Sequence, residues 1–170
     1  MIPVFETQRL AVRRLTLADA PFAFDLVNTP NFVRFIGDKG VRDIPGAERY
    51  LREGAIASYE KHGFGLYLVL RKTDQQPLGI TGLVKRDSLE FADLGYAFMP
   101  EHWGQGYASE AALGVLEYAR NQLGIGSLLA ITSPDNADSI KLLVRLGFRD
   151  DGMKELTPGD TIRLFSLGVS

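Results

Sequence analysis

The strongest constraint on the fold lies mid-chain, where apolar spacing changes from helical to alternating and the connections become too short for anything but hairpins. Gly65 to Arg71 (Gly-Leu-Tyr-Leu-Val-Leu-Arg) reads as a strand, Lys72 to Pro77 as a turn, and Leu78 to Val84 as a second strand. Glu90 to Met99 is a third. Parallel pairing would need a crossover of about a dozen residues, so these neighbours run antiparallel. After them Ala108, Ala111, Ala112, Val115, Leu116, Ala119 and Leu123 recur at helical spacing. Ser127 to Thr132 then forms a strand that pairs in parallel with Glu90–Met99 across that helix.

The flanks fit around this centre. Gln8 to Arg14 reads as a first strand with Leu10 and Val12 inward. Thr16 or Asp19 caps a helix to about Asn28, with Pro21 tolerated in its first turn. Asp43 and Pro45 open a second helix reaching about Lys61. Asn136 to Leu146 is a last helix ended by Gly147, and Phe148–Lys154 and Thr161–Leu167 are closing strands. The sum is an α+β fold: a mixed, mostly antiparallel central sheet flanked by helices. No repeat or linker-like composition breaks residues 1–170, which read as a single domain.

Composition removes several functions. The net charge of −2 argues against a dedicated nucleic-acid binder, which would carry a basic excess. With Cys 0 there is no disulfide, no thiolate nucleophile and no cysteine-ligated metal, and the two histidines indicate no metal site. No stretch approaches the roughly 18 apolar residues of a membrane span, and no signal-peptide pattern opens the chain. The cytoplasm is the expected compartment.

The segment that carries chemistry is Glu101-His102-Trp103-Gly104-Gln105-Gly106-Tyr107-Ala108-Ser109-Glu110, between the third strand and the long helix. Glycines at 104 and 106 allow a tight turn and close backbone approach. The helix start adds unpaired N–H groups and partial positive charge, a setting for phosphate. A Walker loop would end in Gly-Lys-Ser/Thr, and a dinucleotide fingerprint would have glycine where Ser109 stands. The residue types leave an anion site and a plain strand-to-helix turn both open.

This set resembles the GNAT superfamily of N-acetyltransferases, and within it the branch around the ribosomal-protein N-terminal acetyltransferases RimJ and RimL. The resemblance rests on Glu6-Thr7-Gln8-Arg9-Leu10 with Arg13, Asp93-Leu94-Gly95-Tyr96, Trp103 to Ala111, and Asn136-Ala137-Asp138-Ser139 leading into Leu146-Gly147-Phe148. It implies acetyl-CoA as co-substrate, with Trp103, Gly104, Gln105, Gly106, Tyr107, Ala108 and Ser109 around the pyrophosphate. It also implies that Phe98 and Met99 bond the pantetheine arm through their backbones, that Asn136 holds the arm or its loop, and that the strand after the long helix splays to open a thioester slot. Trp103 stands where the superfamily often has Gln or Arg, a change shared with the closer branch. Many relatives carry a general-acid Tyr where this chain has Leu143.

Without cysteine, direct attack of an amine on the thioester in a ternary complex is the simplest route. At pH 7, freeing a lysine amine of its proton costs roughly 4.6 kcal/mol, against about 1 for an α-amine. Asp93 is the candidate base or water-chain member. Tyr96 is a slot-lining candidate, Ser139 a proton donor to the leaving thiolate, and the Phe98 N–H an oxyanion donor. Acceptor recognition falls to Asn28–Gly46 and Leu156–Asp160. The acceptor is a primary amine, either a protein N-terminus or a small molecule; a non-catalytic acyl-CoA-binding module is the alternative of another class. An exposed last strand would offer a homodimer edge.

Overall fold

The computed structural model describes residues 1–168, built on one eight-stranded sheet. In chain order the elements are β1 (Phe5–Glu6), β2 (Leu10–Arg14), α1 (Ala20–Val27), α2 (Pro30–Phe35), α3 (Ile44–Leu51), α4 (Ala57–His62), β3 (Leu66–Arg71), β4 (Pro77–Val84), β5 (Asp93–Phe98), α5 (Tyr107–Asn121), β6 (Leu128–Thr132), α6 (Ala137–Arg145), β7 (Arg149–Thr157) and β8 (Asp160–Leu167). The sheet order is β1-β2-β3-β4-β5-β6-β8-β7, antiparallel everywhere except between β5 and β6.

Alternation within the strands sorts the core onto two faces. Leu68, Leu70 and Ile80, with the partly buried Ala97 and Met99, pack against α1, α2 and α3. Leu83, Leu94 and Tyr96 share a cluster with Ala112, Val115 and Ala119 of α5 and Leu143 of α6. Strand β5 is therefore sandwiched where its residues alternate between the two layers. No helix among the described residues is long and apolar enough to cross a membrane.

Local chemistry explains where the observed elements depart from expectation. The first strand begins at Leu10, because Thr7 and Arg9 turn the chain back toward a short β1. Helix α2 lies inside the segment expected to be loop. Its signal is Thr29-Pro30, where the Thr29 hydroxyl accepts from the Phe32 N–H and Pro30 fits the first turn. The helix from Asp43 is interrupted by a wide π-turn over Arg52–Ile56 between α3 and α4. The third strand starts at Asp93 rather than Glu90, since the Lys85 ammonium donates to the Arg86 and Leu89 carbonyls at 2.8 and 2.6 Å and holds that stretch as a loop.

The expected exposed last strand is also corrected. β8 lies between β6 and β7, so the edge at this end of the sheet is β7. Arg149, Asp150, Asp151, Lys154 and Glu155 load that edge with charge, which opposes pairing with another strand.

Candidate active site

The parallel partners β5 and β6 touch at one register position, Asp93 with Leu129, joined by the Leu129 N–H to the Ala92 carbonyl at 2.9 Å. Beyond it they part, as the resemblance implies. The Met99 N–H bonds the Leu78 carbonyl of β4, so alternation turns the backbones of Tyr96 and Phe98 the other way, into the gap. The Phe98 carbonyl accepts the Trp103 indole N–H at 2.9 Å. The Met99 carbonyl accepts from the His102 N–H at 3.0 Å, so with its N–H on Leu78 only the second lone pair of that carbonyl is open to a further donor. Along this edge the Tyr96 backbone and the Phe98 N–H remain.

The glycine loop sits at the open end of this gap. Gly104 and Gly106 both adopt left-handed backbone, with φ of 76° and 80°, and Gly106 caps α5 without any side-chain acceptor. The N–H groups at the start of a fifteen-residue helix are thus left to a ligand. The ring of Tyr107 is buried beneath the turn, while Gln105 and Gly106 are exposed. Two charged side chains brace the loop. The Glu110 carboxylate accepts from the Thr7 hydroxyl and the Arg9 backbone, and pairs with Arg9 Nε at 2.7 Å. Arg9 Nη1 donates to the Gln105 carbonyl at 2.9 Å. Burial pushes the Glu110 carboxyl up, but the hydrogen bonds from Thr7 and Arg9 win and hold it below the usual range.

Across the gap, the Tyr96 hydroxyl of β5 meets Ser139 Oγ of α6 at 2.6 Å. Burial pushes the Tyr96 hydroxyl up to about 12 against the opposing effect of the Ser139 hydrogen bond. Asn136 caps α6, its Oδ1 accepting from the Ser139 N–H at 3.3 Å, which fixes the turn that carries Ser139. Leu143 is 1% exposed and packs in the core, with no access to the gap.

The site thus joins a splayed parallel pair to an uncapped, glycine-led helix start at its mouth. Residues 9–149 match the acetyltransferase (GNAT) domain family. The chain belongs to the GNAT acetyltransferase family. It is similar to an uncharacterized N-acetyltransferase, YoaA, of Bacillus subtilis, 30% identical over 155 residues covering 90% of this chain and 86% of the relative. It is 31% identical over 104 residues to the [ribosomal protein uS5]-alanine N-acetyltransferase of Escherichia coli, covering 59% of this chain and 54% of that one. Among solved structures, an acetyltransferase from Agrobacterium tumefaciens superposes with a TM-score of 0.82 at 25% identity, covering 98% of this chain and 94% of that one.

In this GNAT enzyme Asp93 lies at the apex where β5 and β6 join, 1% exposed, with Oδ2 accepting from Arg86 Nε at 3.0 Å. It is not the solvated strand-end charge its position suggests. Burial raises its carboxyl above the ordinary range, against the lowering effect of Arg86 and Lys85. Asp93 shares a face with Gly95 and Ala97, opposite Tyr96. It stands two residues from Gly95, about 7 Å along the strand. Arg9 belongs to the Glu6–Leu10 motif, but the sequence gives it no role at the site, because its partners Gln105 and Glu110 lie about a hundred residues away; Arg86 reaches Asp93 from an irregular loop that no local pattern marks.

An apolar cavity of about 330 Å³ lies between α1, the π-turn and the sheet, walled by Leu15, Leu26, Leu66, Ile80 and Leu83, with Glu53 and Lys61 at its border. None of the glycine-loop residues 103–109 lines it.

Proposed function

We propose that the protein transfers the acetyl group of acetyl-CoA to a protein N-terminal α-amine by direct attack in a ternary complex in the cytoplasm. The observation that carries this reading is the junction of an uncapped α5 start with an unpaired strand edge at Tyr96 and Phe98. The pyrophosphate takes the amides of Gln105 to Ser109, with Gly104 and Trp103 shaping the turn. The pantetheine arm pairs with β5 as the strand β6 declines to be, Asn136 closing its other side. The thioester then lies between the Phe98 N–H, which stabilises the oxyanion, and the Tyr96–Ser139 pair, which hydrogen-bonds the departing sulfur. Residues 1–170 act as one catalytic domain.

A donor with a pKa near 12 is poorly matched to protonate a thiolate of about 8.5 outright; Tyr96 therefore works as a hydrogen-bond donor that stays protonated throughout. The proton comes from the attacking amine. Asp93 relays it through water: buried and paired with Arg86, it offers no direct contact to the amine. Such a site suits an amine that is already partly neutral, which favours an α-amine over a lysine or alkylamine. The likeness to a uS5-alanine acetyltransferase supports the same acceptor class.

The 330 Å³ cavity favours a second reading, since it falls at the lower end of small-ligand pockets and would suit a compact apolar amine. Titration of acetyl-CoA against wild type and Gly106→Trp tests the coenzyme site; binding lost in a folded variant supports it, and no binding to wild type sinks it. A turnover screen of peptides with free N-termini against small amines then separates the acceptors. Peptides inert beside one reactive metabolite class would overturn the N-terminal reading.

A further inference from the structure

The N-terminal strand reaches the coenzyme loop through one guanidinium, and its geometry leaves one nitrogen free. Arg9 Nε is taken by Glu110 and Nη1 by the Gln105 carbonyl, at 2.7 and 2.9 Å. The guanidinium carbon stands 4.5 Å above the centre of the Tyr107 ring, which fixes the plane of the fork. Nη2 has no hydrogen-bond partner among the described residues. It is aimed at Gly106, where an added Cβ would lie 3.3 Å from it. The side chain is 42% exposed, and this nitrogen lies beside Gly106, the residue that caps the start of α5.

We propose that Arg9 is a coenzyme-binding residue, its Nη2 donating to the pyrophosphate beside the amides of Gly106 and its neighbours. This rests on the coenzyme site proposed above. A charged fork adds what backbone amides lack, a full positive charge and a charge-assisted hydrogen bond. It has a second task here. Glu110 stays ionised in the first turn of α5, and without Arg9 its charge would stand uncompensated next to the phosphates. Losing Arg9 therefore removes an attraction and uncovers a repulsion at once. Gly106 is then needed twice over: for a φ of 80° and for the room that Nη2 occupies.

The test is acetyl-CoA titration of wild type, Arg9→Gln and Arg9→Lys, each at about 0.05 and about 0.5 M salt. Arg9→Gln should raise the Kd by about tenfold at low salt, and the gap should narrow at high salt as screening weakens the lost interaction. Arg9→Lys should recover part of the affinity and the salt dependence, because the charge remains while the fork that grips Gln105 and Glu110 is lost. The lysine variant also answers if the glutamine variant fails to fold. A Kd within twofold of wild type in folded Arg9→Gln, or a rise of equal size at both salts, would overturn the proposal and leave Arg9 a structural brace. If wild type itself does not bind acetyl-CoA, the coenzyme reading falls and this one with it. Binding by wild type that is unchanged in the variants removes only the role of Arg9.

Discussion

Tyr96 and Ser139 face each other across the gap between β5 and α6, hydroxyl to hydroxyl at 2.6 Å, although 43 residues separate them in the chain. The bond ties β5, the strand beside the opening of the sheet, to the first turn of α6. Tyr96→Phe should lower kcat by about a hundredfold while the Kd for acetyl-CoA stays within about threefold. Ser139→Ala should cost less, about tenfold, because the tyrosine hydroxyl survives. Single-turnover kinetics with titration of the coenzyme checks both. An equal loss of binding and turnover would mean that the pair only shapes the gap.

The pH profile follows from the same hydroxyl. With its pKa at about 12, Tyr96 does not titrate in the working range. The rising limb of kcat/KM should therefore report the acceptor amine, with a midpoint near 7.7 for an α-amine substrate. In Tyr96→Phe that midpoint should not move, although the plateau drops. A midpoint that follows the mutation would contradict the assignment.

Arg86→Ala isolates Asp93. Removing the partner leaves a carboxylate that is 1% exposed and already raised by burial. A group whose folded pKa is raised contributes stability that is present below its unfolded pKa of about 3.9 and lost as pH rises toward its folded pKa. The variant should thus lie closer to wild type near pH 4 and lose about 1–3 kcal/mol at pH 7, less than a fully buried pair because Arg86 is 37% exposed. Urea unfolding at both pH values measures it; a loss independent of pH would place the cost in packing instead.

Gly82→Ala should be among the most damaging single changes in β4. Its φ is 157°, and a Cβ there would sit 2.0 Å from the backbone carbonyl oxygen of Gly65. Backbone cannot step aside as a side-chain tip can, so a loss of about 3 kcal/mol or more, or failure to accumulate folded protein, is the expected outcome. Thermal unfolding of the purified variant is the check.

The sheet and its helices were largely legible because short connections and apolar spacing decide pairing locally. The meander from Leu66 to Phe98, the long α5 and the Gly147 stop all follow from patterns within a few residues. Illegible were features set by distant contacts or by hydrogen bonds within irregular loops. Lys85 shortens β5 from within a loop, Thr7 and Arg9 shape β1 through Glu110, and Met99 spends its backbone on Leu78 and His102. At the site, spacing and resemblance together pointed to the glycine loop, Tyr96 and Ser139. That Tyr96 and Ser139 meet depends on how far β6 swings from β5, an angle no residue type encodes.

The brace between Arg9 and Gln105 joins residues 96 positions apart. During synthesis at roughly 5–20 residues per second, the arginine leaves the ribosome several seconds before the carbonyl it will hold exists. The nascent N-terminus must therefore wait, unpaired, while the whole meander is made. The same segment carries Leu10 and Val12, which pack with Tyr107 and Ala111, so clasp and core are completed by one strand. Quality of the finished coenzyme mouth is set by the first and middle thirds of the chain arriving together, and a ribosome pause between them lengthens the time in which the clasp is open.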